Sequence, residues 1–471
     1  MFRLCVIIRA RRFVVVRPAG QNGGRTEADR YGEKGQYMTE SNVERPGRAL
    51  LVGLDTGEDS FFRQSMEELG NLAEACEMEP VGTVIQKSRE VNQAFYIGPG
   101  KVEEVRELAE ELDADLVIFD NALTPSQLRN LQDAIGRAVM DRTTLILEIF
   151  ATRAKTREAM LQVECARLQY ILPRLVGLGT ALSRQGGGSG SRSNKGAGEK
   201  KLELDRRRLE ARLAECRREL KEVGEKRMTQ RKLREQAGIP RVALVGYTNA
   251  GKSTLLNAMI EAYSRGEERE ERKVMAKDML FATLDTTVRR IAPAGRQPIL
   301  LSDTVGFIHK LPHNLVEAFR STLEETIQAD LLVIVVDAFD EDHREQIRVT
   351  RETLREIGAG NVPVIYAYNK ADRYPEEGLY PRVQGDRIYL SALQGVGLQE
   401  LYDLILETLS DRFRECEMLL PYQRGDVVSA LNEQGAVREQ EYTEQGIRLR
   451  VCCSIADYNR YREYITKVEE S

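Results

Sequence analysis

From about residue 47 to 150 the chain alternates between compact apolar runs and stretches with helical spacing. ALLVGLD (49–55) is an apolar run of strand length, and residues 60–76 repeat their apolar positions at the helical period. DADLVIFD (113–120) reads as a buried strand. The next helix is announced by Thr124-Pro125-Ser126-Gln127, with Thr124 as N-cap, Pro125 at the first helical position and Gln127 completing a capping box. Strands alternating with helices predict a small parallel α/β domain over 47–155.

Two long helical stretches follow, on either side of a glycine-rich loop. In the first, Leu161, Leu168, Leu172 and Leu175 fall seven, four and three residues apart. In the second, Leu202, Leu209, Leu213, Cys216, Leu220 and Val223 keep the same alternation, which is an a/d seam. Together they predict an antiparallel helical hairpin over 156–237, with Pro173 kinking or ending its first helix.

Gly238-Ile239-Pro240 breaks the helical pattern and opens a third unit. RVALVG, RQPILLSD, LLVIVVD, VPVIYAYNK and RIYLSAL are apolar runs with helical segments between them, which predicts a doubly wound parallel sheet over 238–410. Residues 411–471 read as a small mixed α/β domain, with RLRVCCSI its clearest strand. The whole chain is therefore expected to be of α/β class. Residues 1–46 fit no such pattern. Arg9, Arg11 and Arg12 interrupt the apolar core that a secretory signal needs, and the polar, turn-rich stretch after them predicts a disordered extension. Met38 is the expected native start, which makes 1–37 an upstream read-through. A native peptide beginning at Met1 in a mass spectrum would refute that.

Composition narrows the class. At 471 residues the chain holds about three domains. Its 69 Lys+Arg against 74 Asp+Glu exclude a histone-like basic protein. No apolar stretch of bilayer length lacks charge, so no membrane insertion is expected. Seven cysteines and three histidines (His309, His313, His343) speak against a disulfide scaffold or a His-rich metal centre, and for reduced thiols in a cytoplasmic protein. Charge is unevenly spread. Between Arg184 and Glu235 stand 17 Lys/Arg and 9 Asp/Glu, a surplus of eight positive charges in a chain whose net charge is −5. A solvated charged helix with a flexible linker is the bland explanation. The sharper one is contact with a phosphate backbone through Arg184, Arg192 and Lys195, the loop glycines letting the main chain approach closely.

The chemistry sits in the third unit. Gly246-Tyr247-Thr248-Asn249-Ala250-Gly251-Lys252-Ser253-Thr254 follows a strand and opens a helix, the setting in which GxxxxGK[ST] is a phosphate-binding loop. Backbone N–H groups surround the phosphates, Lys252 reaches the β/γ oxygens and Ser253 Oγ ligates Mg2+. Asp303-Thr304-Val305-Gly306 ends the strand ILLSD, where Asp303 holds Mg2+ through water and the Gly306 N–H senses a γ-phosphate. Asn369-Lys370-Ala371-Asp372 ends the strand VPVIYAYNK. Asp372 accepts from guanine N1–H and the N2 amine, and adenine offers neither donor. Lys370 covers the base face, Asn369 ties this loop to the phosphate loop, and Ser391-Ala392-Leu393 offers a backbone N–H to guanine O6. Four such signals in order predict a GTP/GDP site with Lys252 and Gly306 in catalytic roles.

Between the phosphate loop and Asp303 lies Phe281-Ala282-Thr283-Leu284-Asp285-Thr286-Thr287, and Thr283, Thr286 and Thr287 compete as the threonine that completes the Mg2+ shell. Phe307 stands where Ras-like enzymes place a glutamine to orient the attacking water, so intrinsic hydrolysis is expected to be slow. In several GTPases lacking that glutamine, an asparagine at the position of Asn249 ligates K+, which makes K+ a candidate second cofactor. Equal rates in K+ and Na+ at matched ionic strength would refute it.

YIGPGKVEE (96–104), DRTTLILEIFATRA (141–154), LQVECARLQYILPRL (161–175), EKKLELDRRR (199–208), GYTNAGKSTLLN, LFATLDTT, DTVGFIHKLPHNLVEAFRSTLEE (303–325) and NKAD resemble the HflX family of translation-factor-related GTPases, in the Obg-HflX superfamily, across most of 48–471. The resemblance implies Thr283 as the Mg2+-binding threonine and a hydrophobic residue at 307 as the family pattern. It further implies a cytoplasmic protein, expected to be monomeric, that binds the large ribosomal subunit and in its GTP form helps split stalled or idle ribosomes. The glycine-rich loop would then reach rRNA near the peptidyl-transferase centre. Here the loop reads RQGGGSGSRSNKGAGEKKLE, longer than the family's usual RQGGGIGTRGPGEKKLE and without its proline. Two other classes compete: an RNA-remodelling NTPase that also uses ATP, against which Asp372 argues, and a GTP-gated membrane-associated switch, for which no anchor is visible.

Overall fold

A computed structural model describes residues 6–9, 12–15, 47–59, 61–184, 192–235, 239–263, 281, 286–293, 296–310, 320–374, 380–410, 413–433 and 436–468. Two compact units emerge, Met1–Thr152 with Val163–Ala214, and Arg153–Gln162 with Glu215–Ser471. Near the start, β1 (Val6–Arg9) and β2 (Arg12–Val15) pair antiparallel, with Val6 opposite Val15 and Arg9 opposite Arg12. At 6–9 and 12–15 this departs from the disordered extension expected over 1–46. VIIR and RFVV are β-branched and aromatic runs joined by two residues, which is hairpin spacing. Residues 16–46, Met38 among them, lie outside the described residues.

The first sheet holds β3 (Gly47–Asp55), β4 (Met78–Lys87), β5 (Leu116–Phe119) and β6 (Ala138–Asp141) in the order β4-β3-β5-β6, parallel throughout. Its connections are α1 (Phe62–Ala75), α2 (Pro99–Glu111) and α3 (Pro125–Ile135), and α4 (Arg142–Arg153) follows β6 directly. Helices on both faces make β3 a continuous apolar run instead of an alternating one. Leu50, Val52 and Leu54 pack in one cluster with Val102, Val105, Val117 and Leu131. The Thr124 capping box forms: Thr124 Oγ1 accepts from Gln127 N–H at 3.3 Å, and Thr124 N–H donates to Gln127 Oε1 at 3.0 Å.

The two long helices are α5 (Arg157–Arg184) and α6 (Arg192–Glu235). Arg212 reaches Glu164 at 2.7 Å, and Arg157 reaches Glu219 at 2.8 Å. The partners step seven residues forward on one helix and seven back on the other, so the helices run antiparallel at heptad spacing. Two expectations need correcting. Helix α5 does not end at Pro173, one of the two outcomes expected there, but runs on to Arg184. The ring removes one helical N–H, and the rest of the helix holds on either side of it. Helix α6 starts at Arg192, so the glycine-rich segment is helical from there, because a 44-residue helix made mostly of good formers propagates through isolated glycines at about 1 kcal/mol each. Residues 185–191 lie outside the described residues.

The second unit carries β7 (Arg241–Val245), α7 (Lys252–Tyr263), β8 (Thr287–Ile291), β9 (Ile299–Asp303), α8 (Arg320–Ile327), β10 (Leu331–Asp337), α9 (His343–Glu356), β11 (Val364–Asn369), β12 (Arg382–Gln384), β13 (Arg387–Tyr389) and α10 (Leu398–Thr408). The sheet order is β12-β13-β11-β10-β7-β9-β8. Its five apolar strands are parallel, as expected, but β8 and β12 close the two edges antiparallel, so the sheet is mixed. Edge strands bury little and tolerate charge, which is why TVRRI and RVQ carry no apolar signal. The last four strands, β14 (Phe413–Leu420), β15 (Val437–Thr443), β16 (Gly446–Ser454) and β17 (Ile465–Val468), form an antiparallel sheet ordered β15-β16-β14-β17. Met418, Leu420, Val427, Leu431, Leu449 and Val451 form its core. The described cysteines are free, and no described helix is long and apolar enough to cross a membrane.

Candidate functional site

The crevice lies where the sheet order reverses, at the carboxyl end of β7, with β9 on one side and β10 on the other. The chain leaves β7 through Gly246, whose φ of +140° is glycine territory. A Cβ there would stand 2.3 Å from the Val335 carbonyl oxygen, so only glycine lets the loop pass this close to β10. Asn249 is left-handed at φ +60° and is followed by Gly251 at +94°. Alternating hand turns successive N–H groups inward, the arrangement that receives phosphate oxygens. The loop runs straight into α7, with Lys252 and Ser253 on the first turn and Thr254 next.

Lys252 is buried, and its Nζ donates to the carbonyls of Gly246 at 3.1 Å and Tyr247 at 2.7 Å. Burial pushes its pKa down to about 8, partly opposed by the Asp303 carboxylate. Ser253 Oγ donates to Asp303 Oδ2 at 2.6 Å, so the two groups read as Mg2+ partners already stand together. Thr304 Oγ1 donates to the Leu244 carbonyl at 2.7 Å and pins Asp303-Thr304 to β7. Gly306 packs so closely that a Cβ would lie 2.8 Å from Thr248 Cγ2 and 3.0 Å from Lys252 Nζ. The Thr248 hydroxyl is buried in the same place with no hydrogen-bond partner among the described residues. An orphaned hydroxyl, a cationic Nζ and inward amides fit an anion, and the hydroxyl–carboxylate pair fits Mg2+, which takes one or two protein oxygens and completes its shell with phosphate and water.

After Gly306 the chain is zipped to the phosphate loop. Phe307 N–H donates to the Gly246 carbonyl at 3.1 Å, Thr248 N–H to the Phe307 carbonyl at 2.8 Å, and His309 N–H to the Tyr247 hydroxyl at 2.8 Å. The Phe307 side chain is 2% exposed and packs with Val245, Leu323, Leu332 and Ile334. It belongs to the core on that face of the sheet.

The base end is assembled from three loops. Asn369 Nδ2 donates to the Ala250 carbonyl at 3.0 Å and Oδ1 accepts from Ala392 N–H at 2.9 Å. Asp372 Oδ1 accepts from Ser391 Oγ at 2.6 Å, and Lys370, left-handed at φ +63°, sets its Nζ 2.8 Å from Asp337 Oδ2. Ser391 N–H donates to Val396, and Ala392 N–H is taken by Asn369, whereas Leu393 is 80% exposed with no backbone bond of this kind among the described residues. Ala371 is buried beneath, its N–H on the Leu390 carbonyl at 3.2 Å. Val305 is buried beside Gly306.

The first switch segment divides. Phe281 is buried and left-handed at φ +53°, and Thr287 pairs with Asp303 in the β8–β9 register. Ala282, Thr283, Leu284 and Asp285 lie outside the described residues. Arg184 ends α5, and Arg192 and Lys195 open α6. The Tyr247 hydroxyl, Thr304 and Asp337 have structural roles here that spacing does not reveal, because their partners are 60 or 62 residues away or sit on a neighbouring strand exit.

Comparison with known proteins gives matches to three family models and to many relatives. Residues 63–151 match the family described as GTP-binding GTPase N-terminal, 153–234 the GTP-binding GTPase middle region, and 241–370 the 50S ribosome-binding GTPase. The chain is 44% identical over 421 residues to the GTPase HflX of Caldanaerobacter subterraneus subsp. tengcongensis, covering 89% of this chain and 94% of that one. It is 40% identical over 420 residues to the GTPase HflX of Escherichia coli, covering 88% and 95%. Among solved structures, a GTP-binding protein from Sulfolobus solfataricus in complex with GDP is 25% identical, covers 77% of this chain and 99% of that one, and superposes with a TM-score of 0.39.

Proposed function

The chain belongs to the HflX family of GTPases, and from that premise we propose that its GTP cycle governs binding to the large ribosomal subunit and the splitting of stalled or idle ribosomes in the cytoplasm. GTP binding and hydrolysis to GDP follow from membership itself. The observation that carries the site assignment is the close packing of Gly306, Lys252 and Thr248 beside the Ser253–Asp303 pair.

In this reading the amides of 247–253 and the Lys252 ammonium hold the β- and γ-phosphates. Mg2+ would be held by Ser253 and Thr283, with Asp303 acting through water, and supplies charge neutralisation across the phosphates. The Gly306 N–H reports the γ-phosphate. Asp372 reads the guanine edge, Lys370 lies against the ring, and the Leu393 amide serves O6, since its two neighbours are engaged within the protein. With the Phe307 side chain in the core, the attacking water is oriented by main chain or by the ribosome, and intrinsic turnover is slow. K+ beside Asn249 would act as a further positive charge.

We assign the functional divisions as 47–155, 156–237, 238–410 and 411–471. The hairpin serves as the arm toward rRNA through Arg184, Arg192 and Lys195, supported by the surplus of eight positive charges between Arg184 and Glu235. GTP orders the segments around Thr283 and Gly306, hydrolysis releases them, and the difference in ribosome affinity between the two states drives the cycle. Sedimentation with large subunits tests this. More protein should pellet with a non-hydrolysable GTP analogue than with GDP, and deletion of 186–198 should weaken splitting while sparing GTP binding. Equal pelleting in both nucleotides removes the switch, and intact splitting after the deletion removes the arm.

A further inference from the structure

We infer that Asp337, which lies outside every nucleotide-binding motif of the chain, is a positioning residue for base recognition: it anchors Lys370 so that the lysine stem stands ready against the purine. The inference rests on the guanine-site reading and extends it to the exit of β10.

Asp337 closes β10 and pairs in register with Asn369, the last residue of β11. Its two carboxylate oxygens have separate duties. Oδ1 accepts from Phe339 N–H at 3.1 Å and shapes the turn after β10, while Oδ2 lies 2.8 Å from Lys370 Nζ. The side chains of Asp337 and Lys370 are 13% and 18% exposed, so water screens this pair far less than one on the surface. Arg373 adds a second, looser cation at 3.9 Å. The turn itself is tied back to the base loop twice. Ala338 N–H donates to the Asn369 carbonyl at 2.8 Å, and the Tyr374 hydroxyl donates to the Ala338 carbonyl.

A lysine side chain is a flexible four-carbon stem, and holding it flat against a base costs rotamer freedom. Here the backbone of Lys370 is already left-handed and its far end is already fixed by Asp337. The order is established before a ligand arrives, which raises affinity without adding a contact. Asp372, two residues on, is held separately by Ser391 Oγ, so the wall and the edge-reading carboxylate have independent supports. Loss of the wall's support therefore weakens every purine alike, whereas disturbance of Asp372 weakens guanine selectively.

The test is Asp337→Asn, which keeps an oxygen for Phe339 N–H and removes the charge facing Lys370. GDP and inosine diphosphate, which lacks the N2 amine, are titrated calorimetrically into the full chain, in the wild-type and Lys370→Met backgrounds. Asp337→Asn should lower GDP affinity about tenfold, the order expected for loss of a charge-assisted contact. Inosine diphosphate should fall by the same factor, and the change should add nothing to Lys370→Met. Wild-type affinity in Asp337→Asn, a fall in GDP affinity alone, or a full second loss in the Lys370→Met background each overturns the inference. A wild-type chain that takes up no GDP would instead sink the site reading beneath it.

Discussion

The parallel sheet of the first unit and the mixed sheet of the second carry acids at the same places and use them oppositely. In the first unit Asp120 and Asp141 stand at the carboxyl ends of β5 and β6, and side chains of the protein close over them. Asp120 accepts from Ser65 Oγ at 2.8 Å and from Arg142 at 2.8 Å, and Arg142 also meets Glu68. Asp141 accepts from Leu123 N–H at 3.0 Å, Thr144 Oγ1 at 2.6 Å, Arg174 at 3.2 Å and the Tyr170 hydroxyl. Desolvated by burial, and beside that carboxylate, the Tyr170 phenol is pushed far above its ordinary pKa and stays a donor. In the second unit Asp303 ends β9 and accepts from Ser253, while nearby Gly306 packs against Thr248 and Lys252, and the Thr248 hydroxyl is buried without a partner among the described residues. In the first sheet arginine and tyrosine close the strand ends; in the second, under the proposed reading, glycine and backbone amides there would receive a ligand.

Removing the cation from each site is the hardest test of that contrast. Lys252→Ala should lower GTP turnover by on the order of a thousandfold, with nucleotide uptake lost in calorimetry. Retained turnover would mean the glycine-walled end is not where phosphate binds. Arg142→Met should do the reverse. It leaves Asp120 and Glu68 buried without their cation, which costs about 3–5 kcal/mol in urea unfolding, and GDP affinity should not change. A drop in nucleotide affinity with unaltered stability would erase the distinction.

Phe307→Gln sharpens the comparison within the second unit. The side chain lies among Val245, Leu332 and Ile334, so a glutamine there should cost about 2–4 kcal/mol without raising GTP turnover. Faster hydrolysis would show that this position faces the phosphates after all. The smallest effect is in pH. With Lys252 pushed down to about 8 by burial, phosphate binding should recharge it and take up a proton above that pH. GDP affinity should be level below pH 8 and fall by less than about tenfold per unit above it. Without nucleotide the sign for folding is the opposite: the buried ammonium costs stability below pH 8, and the cost fades as pH climbs toward the ordinary lysine value of about 10.4. Calorimetry in buffers of different ionisation enthalpy reads the proton directly.

Much of the nucleotide end was legible because its signals are local. A glycine-rich turn between strand and helix, or an acid at a strand end, is a matter of backbone conformation over fewer than ten residues. The Thr124 capping box belongs to the same class, since all its partners lie within four residues. Less legible were β8 and β12, because an edge strand buries too little to impose an apolar pattern. The passage of α5 through Pro173 and the early start of α6 at Arg192 were hidden for another reason: once a long helix is nucleated, its propagation outweighs the cost of a single proline or glycine.

The order of elements, the turns that make phosphate and base loops, and the identity of the chemistry were set by residues near one another in the chain. Tertiary structure alone decided that Phe307 enters the core, that Arg142 and Tyr170 fill the strand ends of the first sheet, and that Asp337 meets Lys370 across 33 positions. Local backbone preference acts over a few residues. The partner of a buried charge is chosen by whichever distant segment the packed sheet brings within hydrogen-bonding distance.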